Sequence, residues 1–182
     1  MKRVSRIVAP LVAVGLLALG GWWLTGRAET PTLPESLCGT RIGPDLLRPL
    51  LPQDEAVTVD DDVDRERPRP SAWCVVYANG EEAIGLRYAW HSDPVDPLEI
   101  ANSTSSVSQL ELPQYVALPG ARAVVGNTGA IATTSCRTSE GSYFTLSVLL
   151  EGVNVTADSY RSSLEDFMRA YFPATVKTLG CG

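Results

Sequence analysis

Residues 72–90 read AWCVVYANGEEAIGLRYAW. Two strand-like runs, Ala72 to Ala78 and Ala83 to Trp90, flank Asn79-Gly80, the residue pair that most readily closes a hairpin. Val75, Tyr77, Ile84, Leu86, Tyr88 and Trp90 alternate with other residues, as the period of a strand requires. The acidic pair Glu81-Glu82 is expected to lengthen the loop. Such a hairpin points to an antiparallel sheet, and Cys74 sits in its first strand.

Working outward, Leu112 to Leu118, Ala123 to Val125, Ile131 to Arg137 and Tyr143 to Leu150 read as further strands, the third carrying Cys136. Gly126-Asn127-Thr128-Gly129 and Ser139-Glu140-Gly141 break them. On the C-terminal side, Asp158 to Phe172 reads as a long helix. Its residues Tyr160, Leu164, Phe167, Met168 and Tyr171 form a one-sided apolar stripe, expected to pack on the sheet. Asp158 or Ser159 is expected to cap this helix and Pro173 to end it. On the N-terminal side, Pro44 opens a short helix that buries Leu46, Leu47, Leu50 and Leu51. Pro49 weakens that helix and Pro52 closes it. The expected fold is therefore α+β: a mostly antiparallel sheet packed by a short N-terminal and a long C-terminal helix.

The stretch IVAPLVAVGLLALGGWWL, residues 7–24, decides the compartment. Eighteen uncharged residues in a helix rise about 27 Å, close to the about 30 Å of a bilayer core. Lys2, Arg3 and Arg6 precede the run and only Arg27 closely follows it, which holds the N-terminus in the cytoplasm. Trp22 and Trp23 lie at the outer end, where indole rings prefer the headgroup level. The expected organisation is a cytoplasmic tail (1–6), a single-pass transmembrane signal anchor (7–24), an extracytoplasmic stalk (25–36, extended by Pro31 and Pro34) and a folded domain (37–182). The competing reading is secretion after cleavage near Gly26-Arg27-Ala28. Both put the bulk of the chain outside the cytoplasm.

Residues 28–182 carry 11 of the 15 basic residues and all 21 acidic ones. That acidic balance opposes nucleic-acid binding, which needs phosphate-neutralising cations, and suits a solvated domain or a cationic partner. The four cysteines, Cys38, Cys74, Cys136 and Cys181, all lie beyond the apolar run. An even number in an exported domain reads as two disulfides. Of three possible pairings, Cys38–Cys74 and Cys136–Cys181 are preferred, because each ties a helix-bearing segment to a strand. By loop-closure entropy each contributes about 4 kcal/mol.

Candidate chemistry is thin, and no catalytic, cofactor-binding or metal-binding residue is assigned. Asp60, Asp62 and Asp64 have the alternate spacing that begins a calcium loop, but Arg65 stands where glycine is needed and Ser71 where glutamate is needed. A solvated loop over 60–71 is the expected reading. His91 is the only histidine. With Asp93 or Asp96 it would be a general base, but a surface histidine in a turn is expected instead. Glu81-Glu82 reads as a solvated hairpin tip rather than an acid–base pair, and the GNTG segment has neither the spacing nor the lysine of a phosphate loop. Asn102 and Asn154 head Asn-X-Thr/Ser acceptors.

Four stretches together resemble a known family: ESLCGTRIGPDLLRPLLP (35–52), AWCVVYANG (72–80), LPGARAVVGNTGAIATTSCR (118–137) and YRSSLEDFMRAYFPATVKTLGCG (160–182). The pattern resembles uncharacterised membrane-anchored or secreted envelope proteins of Streptomyces and related actinobacteria. More distantly, it is similar to the extracellular disulfide-bonded domains of mycobacterial lipoproteins and kinase sensors. The resemblance implies fold and location, and no site residues. The chain departs from the lipoprotein members in having no cysteine directly after the apolar run. The function expected is a non-enzymatic envelope module that binds a small ligand or a neighbouring envelope protein, through the sheet or the 91–109 segment. The alternatives are an envelope hydrolase with an unrecognised site and, more weakly, a secretion or wall-assembly accessory.

Overall fold

The computed structural model of the chain describes residues 33–52, 56–103, 109–153 and 158–181. The expected anchor (7–24), the tail before it, the Gly26–Ala28 cleavage site, most of the stalk and the Asn154 acceptor lie outside the described residues. Pro31–Gly182 forms one compact unit.

The chain begins with a two-residue-strand ribbon, β1 (Ser36–Leu37) and β2 (Thr40–Arg41), turned by Cys38 and Gly39. Both turn residues have positive φ (48° and 75°), the geometry of the tight hairpin turn that follows strand twist. The stalk therefore ends earlier than expected: Leu33 packs on the core and Ser36 pairs with Arg41. Helix α1 (Pro44–Leu47) runs into a 3-10 turn (Arg48–Leu50) begun at Pro49's turn. Leu47, Leu50 and Leu51 are buried, and Leu46 is half-buried.

Seven strands form one sheet: β3 (Val57–Asp61), β4 (Ser71–Ala78), β5 (Glu81–His91), β6 (Gln114–Leu118), β7 (Ala121–Val125), β8 (Gly129–Ser135) and β9 (Tyr143–Leu150). Their order is β3-β4-β5-β9-β8-β7-β6, and every pairing is antiparallel. Two meanders thus meet where β5 pairs with β9 at the centre. Between them, residues 92–113 carry the chain to the far edge by way of the five-residue helix α2 (Pro97–Ala101).

The β4–β5 hairpin is tighter than expected. Asn79 and Gly80 (φ 50° and 84°) close a two-residue turn, and Glu81 and Glu82 belong to β5. The pairing shifts between Val76 and Tyr77, so a β-bulge at Ala83 absorbs the extra residue. The charged stretch also differs from a loop: Asp60 and Asp61 finish edge strand β3, whose Val57 and Val59 alternate inward. Their acidic neighbours hid that alternation. Cys136 lies just past β8 rather than within it.

Helix α3 (Arg161–Thr178) covers one face of the sheet. Leu164, Phe167, Met168, Tyr171, Phe172 and Thr175 are buried there against Leu86, Tyr88, Trp90, Phe144, Leu146 and Val148. At about 2 kcal/mol per large apolar side chain, this seam is a leading source of stability. Phe144 sits at its centre, 5.0 Å from Trp90 and 6.0 Å from both Tyr88 and Phe172 between ring centroids. Two end signals differ from expectation. Tyr160 takes the cap position without a side-chain bond, while Asp158 contributes only its backbone carbonyl to Arg161 N. Pro173 lies inside the helix on its exposed side. The carbonyl it cannot bond belongs to exposed Arg169, and the burial of Thr175 and Leu179 draws the helix onward.

Two disulfides close the unit. Cys38–Cys74 ties the β1–β2 turn to β4, with Cα atoms 6.0 Å apart, and Cys136–Cys181 ties the end of β8 to the tail after α3, at 4.7 Å. This is the expected pairing, and it is consistent with an oxidising location outside the cytoplasm. Among the described residues no helix is long and apolar enough to cross a membrane.

Candidate functional site

Strand alternation sends one side chain of each cross-strand pair toward α3 and the next toward the opposite face. On that opposite face α2 covers only one half. There Leu98, Ile100 and Ala101 pack with Leu110, Val124, Ile131 and Leu149. Over β4, β5 and β9 the face carries no helix among the described residues. It holds a groove of about 590 Å³ lined by Trp73, Val75, Glu82, Gly85, Arg87, Ser147, Leu149 and Glu151 among others.

Register builds this groove row by row. Trp73 pairs with Arg87, and Arg87 with Ser147. One step along the same face, Val75 pairs with Gly85, and Gly85 with Leu149. Gly85 has no side chain, so the row has a gap between two aliphatic walls. A Cβ there would meet only the end of the Glu82 side chain, at 3.3 Å. Beyond this row come Tyr77, paired with Glu82, and Glu151 at the end of β9. Trp73 is 43 % exposed, an unusual state for an indole on a sheet. None of Arg87, Glu82 and Glu151 has a salt-bridge partner among the described residues. The groove thus offers an apolar floor, an aromatic wall, one unpaired cation and two unpaired carboxylates.

A second cluster lies where α2 meets the sheet. Asp96 accepts hydrogen bonds from the Tyr115 hydroxyl (2.7 Å), the Leu98 amide (2.9 Å) and Arg122 Nη2 (2.6 Å). The Tyr115 hydroxyl and these further bonds hold the Asp96 carboxyl below its ordinary range, while the bond to Asp96 raises the Tyr115 phenol and the Arg122 guanidinium. Arg122 also lies 5.9 Å from the Tyr115 ring centre. Each group satisfies another, so the cluster reads as a clamp between 92–113 and β6–β7.

That clamp removes Asp96 from any role beside His91. His91 ends β5 rather than standing in a surface turn, and it is half-buried. Its Nε2 is enclosed without a hydrogen-bond partner, and burial, then the nearby Arg87 charge, lower its pKa. Among the described residues, no orienting carboxylate pairs with His91. Nor does it gather Asp60, Asp62 and Asp64 around a common point. Asp62 accepts from Trp73 N (2.7 Å) and pairs with Arg69 (2.8 Å), while Asp64 accepts from the amides of Glu66 and Arg67. Asp60 points to the sheet's open side through its pairing with Val75.

Arg65, the residue in the glycine position of that aspartate series, has a structural part that its sequence context concealed. It donates to the Cys38 carbonyl and the Thr178 hydroxyl, and to Thr40 Oγ1 at 3.0 Å. A cation thereby sits at the negative end of α3. Gly39 makes room for it, since a Cβ there would come within 2.5 Å of Arg65 Nε.

The GNTG segment is a buried turn. Asn127 N donates to the Glu111 carbonyl, Leu150 N to the Thr128 carbonyl, and Arg161 reaches in from α3 to the Val125 carbonyl (2.7 Å) and Asn127 Oδ1 (3.0 Å). Sequence reasoning missed the Gly85 trough, because only register shows which side chains share its face. The exposed tryptophan in a hairpin strand is the signal that was present.

No protein-family model, no curated protein and no solved structure matches this chain.

Proposed function

We propose that this chain is a membrane-anchored, extracytoplasmic module of the cell envelope, of the actinobacterial kind it resembles, that binds a ligand or a neighbouring envelope protein without catalysing a reaction. The observation that carries this reading is the β4–β5–β9 face, which no helix covers among the described residues, with Trp73 exposed one row from Gly85. Grooves of this volume, apolar with a few placed polar groups, are the usual form of a binding site. The two disulfides and the apolar, positively flanked stretch at 7–24 support the location. The hydrolase reading draws less support, because among the described residues no carboxylate bonds to His91, whose Nε2 is enclosed without a partner.

The test is a photoreactive residue at position 73, compared with one at Arg67, in intact cells. Gly85→Leu fills the gap, and its Cβ meets only the flexible end of the Glu82 side chain. Crosslinks at 73, absent at 67 and abolished by Gly85→Leu in a folded protein, are expected. Equal labelling at both positions, or labelling indifferent to Gly85→Leu, would overturn the reading.

A further inference from the structure

The sheet ends in two edge strands, β3 and β6, and they are not alike. β3 finishes in Asp60 and Asp61, the kind of charge that keeps an edge from pairing. β6 reads QYVAL and carries no charge. Two of the three large apolar residues exposed among the described residues stand on it or just before it: Tyr115 is 53 % exposed and Leu112 is 66 % exposed.

The backbone of this edge is open. Leu118 pairs with Ala121 across the two-residue turn Pro119-Gly120, so the amide and carbonyl of Leu118 point inward to β7. Alternation along the strand then turns the N–H and C=O of Ala117 and Tyr115 outward. None of these four groups bonds elsewhere among the described residues. Pro113 and Pro119 stand three residues to either side of Val116. The stretch PQYVALP is therefore symmetric about Val116, both in its prolines and in its outward backbone groups.

We propose that β6 pairs antiparallel with β6 of a second copy of this chain, about a two-fold axis at Val116. In that register Tyr115 of each copy exchanges two backbone hydrogen bonds with Ala117 of the other, and every outward group is used. Each proline faces the other copy's proline, beyond the ladder. Centring the axis on Tyr115 or Ala117 instead sets a proline opposite one of them, and a carbonyl in each copy then lacks a donor, because proline has no N–H. The side chains agree with the register. The two Val116 side chains, half-buried on the core, meet at the axis, and on the other face each Tyr115 ring lies beside Ala117 of the second copy. No like charges are brought together within the pair of strands. The strand of an unrelated protein would have no use for this symmetry, so the second copy is the occupant that fits. Five residues a side make a small interface, and a weak, reversible dimer is expected.

The test is disulfide crosslinking of the full chain in detergent micelles under mild oxidation, read as the dimer fraction on non-reducing gels. Residues opposed at the axis are about 4.5 Å apart between Cα atoms, within reach of a disulfide. Val116→Cys is therefore expected to give about tenfold more dimer than Tyr115→Cys or Ala117→Cys alone, which each face a different residue of the second copy. A mixture of those two variants is expected to crosslink as Val116→Cys does. Ala117→Pro, added to Val116→Cys, removes an outward amide and no bond to β7, and should cut the dimer about tenfold while circular dichroism stays unchanged. Equal dimer at all three positions, no dimer at position 116, or a dimer that survives Ala117→Pro overturns the proposal.

Discussion

Replacing Tyr171 with phenylalanine tests the seam between α3 and the sheet. The Tyr171 hydroxyl donates to the Leu37 carbonyl (2.9 Å) and accepts from the Tyr88 hydroxyl (2.7 Å), and all three residues are fully buried. Tyr171→Phe therefore leaves a buried carbonyl and a buried hydroxyl with their bonds removed, at about 1–3 kcal/mol for each orphaned group. Partial relaxation brings the expected loss to about 3 kcal/mol. Tyr88→Phe takes away only a donor, and Tyr171 still serves Leu37, so about 1 kcal/mol is expected. The double variant orphans Leu37 alone and should cost less than the two single changes added together. Urea unfolding with the disulfides intact measures all three. Equal costs for the two single variants, or strict additivity, would refute the relay. The relay also sets an alkaline limit. Burial raises the folded pKa of both phenols above the ordinary value of 10.0. Above about pH 10 the unfolded chain then gives up protons that the folded chain keeps, so stability is intact below that pH and falls as pH rises further. Tyr88→Phe/Tyr171→Phe should flatten that fall.

Removing both Cys38 and Cys74 as alanines should cost about 4 kcal/mol for a closure of 36 residues, read from the shift in the urea midpoint. Gly129→Ala should prevent folding or cost more than about 2 kcal/mol, since a Cβ there would lie 2.2 Å from the Val148 carbonyl, whereas Gly43→Ala, with nothing within 4 Å, should stay within about 0.5 kcal/mol. Arg65→Ala should cost about 2 kcal/mol through its three lost acceptors, against about 0.5 kcal/mol or less for Arg67→Ala on the exposed loop. Equal losses would show that Arg65 is not a clasp.

Local pattern carried far in this chain. The alternation through 72–90, the Asn79-Gly80 turn, the stripe from Leu164 to Tyr171 and strand Tyr143–Leu150 were all legible, because each reports a period that the backbone itself imposes. The even set of four cysteines also announced two bridges. End signals were less dependable. Pro173 stands on the exposed side of α3 and does not end it, because the buried residues beyond it keep the helix on the sheet. The short edge strand β3 escaped notice because acidic residues occupy its solvent side, as exposed edges favour.

The sequence by itself determined the long strands and the C-terminal helix, the sulfur pairs worth considering and an apolar N-terminal stretch long enough to reach across a bilayer. Those follow from neighbours a few residues apart, where chain geometry leaves little choice. Only the tertiary structure decided that β5 pairs with β9, which of Arg65's carbonyl and hydroxyl partners it clasps, and that Trp73, Gly85, Arg87 and Glu151 share one groove. Those residues come together through strand register, and a slip of one residue would have sent each of them to the other face.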